Sequence, residues 1–423
     1  MHNASSTRKL GLDFGVISGA EWLIIIAAFL GRYLLQFYQT TIQELGYAFG
    51  MNSFEVGIGF ALFTLAFAAS AVIMHKFRPS QLRTVEIISL SLLGITMPLY
   101  MITKGISEAY TLMTIDGFIV GLVMDSFMTM AGMASLDQSK RQVEQAAFSF
   151  WVALALIVAP FTTGYLLGIG IIKLFLIFAV MAFVAIPFVL ALRGKYSLKY
   201  VEKRGEGAGS VRSLFKNMEF NWAIIAAIGY TIPFFSLMSF GVMYGGMIGF
   251  SPSTVFYLLA IMFAGDVITR FIIRLKSPIT NRYPYMVAAL SFATLAAFFL
   301  YASYYVAPLY YLAFLLAGIP DGIAWTLGLQ IANTSFKSGQ IVTATSFFSS
   351  SMMILSALMP VVGLMASMKG VGFVTAFLIL AVATLAFLLA ELAMRPPRSN
   401  IVATMPVTAS ATSKPDAKEQ ING

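Results

Sequence analysis

Twelve long apolar runs divide the chain, at residues 19–45, 53–75, 84–103, 108–134, 144–168, 171–193, 220–246, 253–275, 284–303, 308–334, 342–367 and 370–394. Each is bounded by charge or by Gly, Ser and Pro. About 20 apolar residues in a helix rising 1.5 Å per residue cross a bilayer's hydrocarbon layer, so the pattern predicts twelve transmembrane helices and an all-α membrane fold. The one long internal connection, Arg193 to Glu219, is polar and basic. The tail after Arg395 is short of large apolar residues and reads as disordered. The expected organisation is a cytoplasmic tail at 1–18, a first bundle at 19–193, a linker at 194–219, a second bundle at 220–394 and a disordered tail at 395–423.

A second pattern lies over the first. Displacing the chain by 200 residues sets Trp22 on Trp222, Gly46 on Gly246, Ser53 on Ser253, Lys76 on Lys276, Pro160 on Pro360 and Gly170 on Gly370. One offset that keeps Trp, Lys, Pro and Gly in register across six helices marks an internal repeat. Six is even, so both halves start from the same side and form a parallel repeat about an axis along the membrane normal.

Charge sets the expected orientation. Of 27 Lys and Arg, only Lys104, Lys173 and Lys369 fall in loops on one side, and Arg32 and Arg270 fall inside spans. The other 22 lie on the side of both termini, which the positive-inside tendency makes cytoplasmic, with a plasma-membrane location expected. Basic loops beside anionic lipid account for the net charge of +9 without a nucleic-acid partner. The first seventeen residues read as a cytoplasmic tail and not as a signal peptide.

Composition narrows the chemistry. There is no cysteine, and His2 and His75 are the only histidines. A thiolate or imidazole metal centre is therefore not expected, and no glycine-rich loop ending in Gly-Lys-Ser/Thr is present to cradle a nucleotide. Neither a cofactor nor a metal is expected, nor an enzyme.

What remains is a set of polar residues inside the spans. In the first run, Arg32, Gln36, Gln39 and Gln43 are spaced i, i+4, i+7, i+11, one stripe on one helix face. Arg32 lies thirteen residues from either end of its run, about 20 Å, too deep to snorkel to a headgroup. A guanidinium at a helix centre costs roughly 2.5 to 3.5 kcal/mol on insertion scales, so it either pairs with protein or meets a ligand in a wet cavity. The tenth run holds Ile319-Pro320-Asp321-Gly322, a carboxylate between a helix breaker and a glycine, expected to kink the helix. Asp116 and Asp125 of the fourth run are candidate proton acceptors or partners for Arg32. Asp266 and Arg270 stand at i, i+4, the spacing of an intrahelical ion pair. Tyr230, Pro233 and Ser236 of the seventh run are candidate lining residues. Gly117 and Gly121 fit a close helix contact.

Twelve helices as six plus six in parallel, with a long central loop, resemble the major facilitator superfamily over roughly residues 15 to 395. Ala159-Pro160-Phe161-Thr162-Thr163-Gly164 is similar to the family's G-x-x-x-G-P-x-x-G-G signature, with Ala before the proline, and Met359-Pro360-Val361-Val362-Gly363 repeats it. Ala71 to Pro79 occupies the place of the family's G-x-x-x-D-R-x-G-R-R loop. His75 stands there for the aspartate, while Lys76 keeps a base. The arginine usual early in the fourth helix is absent, Asp116 and Gly117 standing there instead.

The resemblance implies a secondary transporter working by alternating access, with helices 1, 4, 7 and 10 lining a central cavity. The expected substrate-binding set is Arg32, Gln36, Gln39, Gln43, Tyr230 and Asp321. The expected coupling or gating set is Asp116, Asp125, Asp266, Arg270, Lys76, Pro160 and Gly164. Arg32 suggests an organic or inorganic anion as solute, with protons as a coupling ion and the protein a monomer in the bilayer. The alternative within the fold is a proton-coupled exporter of drugs or cations. A membrane-embedded enzyme or receptor fits less well, because the repeat serves alternating access and not catalysis.

Overall fold

The computed structural model describes residues 19–74, 77, 81–132, 138–192, 211–277, 279–336, 338–368 and 372–394. The expected tails, most of the linker, and His75 and Lys76 lie outside the described residues.

Among the described residues, twelve helices are long and apolar enough to cross a membrane. The first half comprises α1 (Gly19–Ala48), α2 (Ser53–Met74), α3 (Leu82–Thr96), α4 (Ile106–Gly132), α5 (Gln138–Leu166) and α6 (Ile171–Ala191). The second comprises α7 (Met218–Met247), α8 (Pro252–Lys276), α9 (Tyr283–Ala302), α10 (Leu309–Thr334), α11 (Ser338–Met353) and α12 (Gly372–Ala393). A single helical turn, Val211–Leu214, precedes α7.

Two differences from the sequence expectation have local causes. α5 begins six residues before its apolar run, because its opening stretch, Gln138 to Gln142, is polar and reaches beyond the hydrophobic segment. α11 passes through a 3-10 segment, Ile354–Leu358, before resuming as Met359–Ser367. Pro360 lacks the N–H that would close the α-helical bond to Ser356, and the tighter turn absorbs the defect. α10 runs as one helix with Pro320 inside it.

The repeat is visible in the turns. Gly50 (φ 73°) and Gly249 (φ 96°) lie in the connections after α1 and α7, Gly170 (φ 99°) precedes α6 and Gly372 (φ 55°) is the first residue of α12. These are left-handed conformations that glycine takes without strain. The helix starts that follow the first pair are capped alike. Asn52 accepts from the Glu55 N–H at 3.0 Å while Glu55 accepts from the Asn52 N–H at 2.8 Å, and Ser251 accepts from the Thr254 N–H at 3.2 Å.

Packing inside each half follows the same symmetry. A Cβ on Gly117 or Gly121 of α4 would strike the Phe63 and Phe67 carbonyls of α2, and one on Gly318 or Gly322 of α10 would strike the Met262 and Asp266 carbonyls of α8. Between the halves, α2 meets α11 and α5 meets α8. On the face opposite the chain ends, Gly57 lies against Met359 and Pro360, Gly363 against Ser53, and Gly164 against Phe256. α1, α4, α7 and α10 are the most enclosed spans, and α6 and α12 the least.

Candidate functional site

Arg32 is the fourteenth residue of a thirty-residue helix, close to its middle. It lines a small space between the halves together with Gln39 from α1, Tyr230, Thr231, Phe234 and Phe235 from α7, Asp321 and Trp325 from α10, and Met352 and Met353 from α11. The space is about 20 Å³, room for about one water molecule. α4 contributes none of these residues. α11 lines it instead, while Gly117 and Gly121 of α4 pack closely on α2.

One wall is a buried charge network. Arg270 donates from Nε to Asp266 at 2.7 Å, from Nη2 to Asp321 at 3.0 Å and from Nη1 to the Ser149 hydroxyl at 3.1 Å, and its guanidinium stacks 4.3 Å from the Trp325 ring. Tyr230 donates to the second Asp321 oxygen at 2.5 Å. Ser149 also meets Thr326 at 2.7 Å. Because Ser149 belongs to α5, this network ties the first half to the second. The i, i+4 pair anticipated from spacing is present, Asp321 makes it a triad, and with Ser149 each of the three guanidinium nitrogens donates one hydrogen bond.

Arg32 stands apart from that network. It is buried, yet it makes no hydrogen bond or ion pair with a protein group among the described residues. Asp321 is the opposite charge that acts on it most strongly, ahead of Asp266, with Arg270 opposing.

The glutamine stripe divides. Gln39 faces the space with its Oε1 unpartnered. Gln36 turns to α7, where its amide nitrogen lies 3.5 Å from the Met238 sulfur, and Gln43 is bonded to the α7 backbone. Periodicity placed all four on one face. It could not say that half of that face meets a neighbouring helix.

Asp116 and Asp125 are not partners of Arg32. Asp116 is enclosed within the first half, accepting hydrogen bonds from Tyr38 of α1 and Thr96 of α3. Asp125 accepts from Ser70 of α2 at 3.3 Å and lies beside Ser349 of α11. Pro160 sits inside α5, and Gly164 serves the contact with α8. Pro233 and Ser236 are buried in α7, Ser236 donating to the Ile232 carbonyl at 2.7 Å.

The sequence reading passed over Trp325, the Met352–Met353 pair and Ser149. It also passed over Glu86, fully buried in α3 and bonded to Ser126, although a carboxylate inside a span was signal enough. Arg274 and Arg282, counted among loop cations, are buried as well. Arg274 stacks 5.6 Å from Phe150, and Arg282 pairs with Glu219 at 2.8 Å.

Twelve spans in two like halves, meeting at a polar space near the middle of the spans, define a multi-pass membrane transporter. A family model described as the Major Facilitator Superfamily matches residues 22–337, and the chain belongs to that superfamily. Two of the solved structures that share the fold are of one protein. The nucleoside transporter NupG superposes with a TM-score of 0.65 at 14% identity, covering 89% of this chain and 99% of that one. An aspartate-to-alanine mutant of NupG gives 0.66 at 14% identity, covering 89% and 100%. No curated protein matches the sequence.

Proposed function

We propose that the protein moves a small organic anion across the plasma membrane by alternating access, with Arg32 as the solute's counter-charge. The observation that carries this reading is the contrast between two buried arginines. Each guanidinium nitrogen of Arg270 donates to a protein oxygen, whereas Arg32 faces the inter-half space with its fork unengaged. A planar guanidinium binds a carboxylate or phosphate through two parallel hydrogen bonds. Both carboxylates of the cluster are held by Arg270, which disfavours the cation-exporter alternative.

Charge balance supports a coupled proton. Asp266 and Asp321 together offset Arg32 and Arg270 when all four are ionised, so an anion at Arg32 leaves one surplus negative charge in a buried site. A proton on a carboxylate of the cluster removes it. A space of about 20 Å³ admits no solute in this arrangement, and loading requires the halves to part on one side. The 22 basic residues on the terminus side support cytoplasmic termini. A tag at Gly423 should accordingly stay hidden from an impermeant label in intact cells.

A second reading has its own observation. Tyr230, Phe234 and Trp325 line the space together with Gln39, an aromatic and amide lining that suits a flat neutral solute, and NupG, a fold relative, is a nucleoside transporter. Thermal unfolding of the purified protein against carboxylates, phosphate and nucleosides separates the two, since a ligand stabilises the state that it binds. Saturable stabilisation by carboxylates that is lost in Arg32→Gln is expected. Stabilisation by uncharged nucleosides that survives Arg32→Gln would displace the anion reading.

A further inference from the structure

Asp125 has a different problem from the central cluster. Its carboxylate is buried, Oδ1 has no hydrogen-bond partner, and the groups that reach the carboxylate are neutral hydroxyls, Ser70 at 3.3 Å from Oδ2 and Ser349 beside it. The Ser70 hydroxyl lies closer, at 2.6 Å, to the Phe67 carbonyl, and one proton cannot serve both acceptors fully. Arg270 is engaged with Asp266 and Asp321, and no ion pair reaches Asp125 among the described residues. A buried anion this poorly donated to is costly unless a cation joins it.

The neighbouring groups are oxygens. Ser349 of α11 lies beside the same carboxylate. One turn further toward the terminus side, Thr129 stands four residues on from Asp125 along α4 and Ser346 three residues back from Ser349 along α11, so each shares its partner's helix face. Both hydroxyls are buried and both lack a hydrogen-bond partner. Glu86 takes no part, being held by Ser126.

We propose that Asp125, with the hydroxyls of Ser70, Thr129, Ser346 and Ser349, binds one sodium ion at the junction of α2, α4 and α11. A single carboxylate among neutral oxygens matches one positive charge. Divalent ions call for more carboxylates, and no group of three acidic, His or Cys ligands occurs among the described residues. A proton would need one acceptor only and would leave Thr129 and Ser346 unserved. Packing keeps the site small, because Gly121 brings α4 onto Phe67 and Ser70 of α2.

Ser70, Asp125 and Thr129 come from the first half, Ser346 and Ser349 from the second. The ion therefore binds best while α4 and α11 are together and is released as they separate. Asp125 lies outside the residues that line the solute space. This makes the sodium site a coupling site independent of what the solute is.

The test is thermal unfolding of the purified protein at fixed pH and ionic strength, with choline chloride replaced stepwise by NaCl, KCl or LiCl. The expected result is a saturable rise in Tm that is larger for sodium than for potassium. It should be abolished in Asp125→Asn, weakened several-fold in apparent affinity in Ser349→Ala and Thr129→Val, and retained in Arg32→Gln. If Asp125→Asn does not fold, the Thr129→Val and Ser349→Ala titrations carry the comparison. Indifference of the wild type to sodium, or a sodium response that persists unchanged in these variants, overturns the proposal. So does a Tm that follows pH alone and is equal in all four salts, which assigns Asp125 to a proton.

Discussion

The Gln43 side chain closes a hydrogen-bonded ring with α7: its Nε2 donates to the Met238 carbonyl at 3.0 Å, and its Oε1 accepts from the Val242 N–H at 2.9 Å. Met238 and Val242 are four residues apart, so these two backbone groups are each other's ordinary helical partners. The amide of α1 bridges one turn of α7 and joins the halves on the face opposite the chain ends. When the halves part there, the two backbone groups keep each other as partners within the continuous helix. That face can therefore open without stranding a buried backbone group.

Gln43→Leu should accordingly cost little global stability, because the backbone pair satisfies itself, while removing two bonds that exist only in the closed arrangement. At about 1 kcal/mol each, their loss shifts the equilibrium toward opening on that face by roughly tenfold or more. The chain contains no cysteine, so a single Phe235→Cys reporter beside the space is available. Its modification by an impermeant maleimide should quicken when Gln43→Leu is added. An unchanged rate would mean that the amide does not latch the halves.

Much of this architecture can be read from the sequence, and the parts that cannot share a cause. Apolar length gives twelve spans and a 200-residue offset gives the halves, because both are properties of one strand of sequence. Spacing gives Asp266–Arg270 for the same reason. That Asp321 and Tyr230 complete the network depends on how α7, α8 and α10 are rotated against one another, which no single helix encodes. Arg32 was legible as anomalous, but not as unpaired. Asp116 was legible as buried, but Tyr38, its partner, is an ordinary aromatic in α1 until α3 and α4 close around it.

The close approaches of α4 and α10 give a controlled test of packing. A Cβ on Gly318 would overlap the Met262 carbonyl, whereas one on Gly105 meets nothing within 4 Å. Backbone cannot yield as a flexible side chain can. Gly318→Ala is expected to destabilise by about 1 to 3 kcal/mol, with Gly105→Ala near neutral, read as Tm in detergent. Equal values for the two variants would show that α8 and α10 adjust freely.

The triad around Arg270 should respond unequally to its members. Asp321→Asn leaves Arg270 with Asp266, and the amide can still accept from Tyr230, so a modest loss is expected. Arg270→Gln strands two buried carboxylates and should cost about 3 to 5 kcal/mol. Adding Asp266→Asn and Asp321→Asn to Arg270→Gln removes the stranded charges and should recover much of that loss. Non-recovery, measured by thermal unfolding, would mean that Arg270 acts chiefly through Trp325 and Ser149.

Arg32 sets the sharpest choice, because its two possible roles give opposite pairs of results. As a solute's counter-charge, it is needed for binding and not for folding. Arg32→Lys would then keep the charge but lose the planar fork, weakening anion binding, and Arg32→Gln would abolish binding and leave a folded protein. As a structural counter-charge to Asp321, the dominant opposite charge acting on it, Arg32 is needed for folding. Arg32→Gln would then leave the cluster one negative charge in excess and lower Tm, and Asp321→Asn in the same chain should restore it. Its unengaged guanidinium, beside an Asp321 already bonded to both Arg270 and Tyr230, favours the first outcome. Tm and solute affinity measured together on Arg32→Gln decide it: a stable variant that binds its solute as tightly as the wild type would exclude an anion held at Arg32.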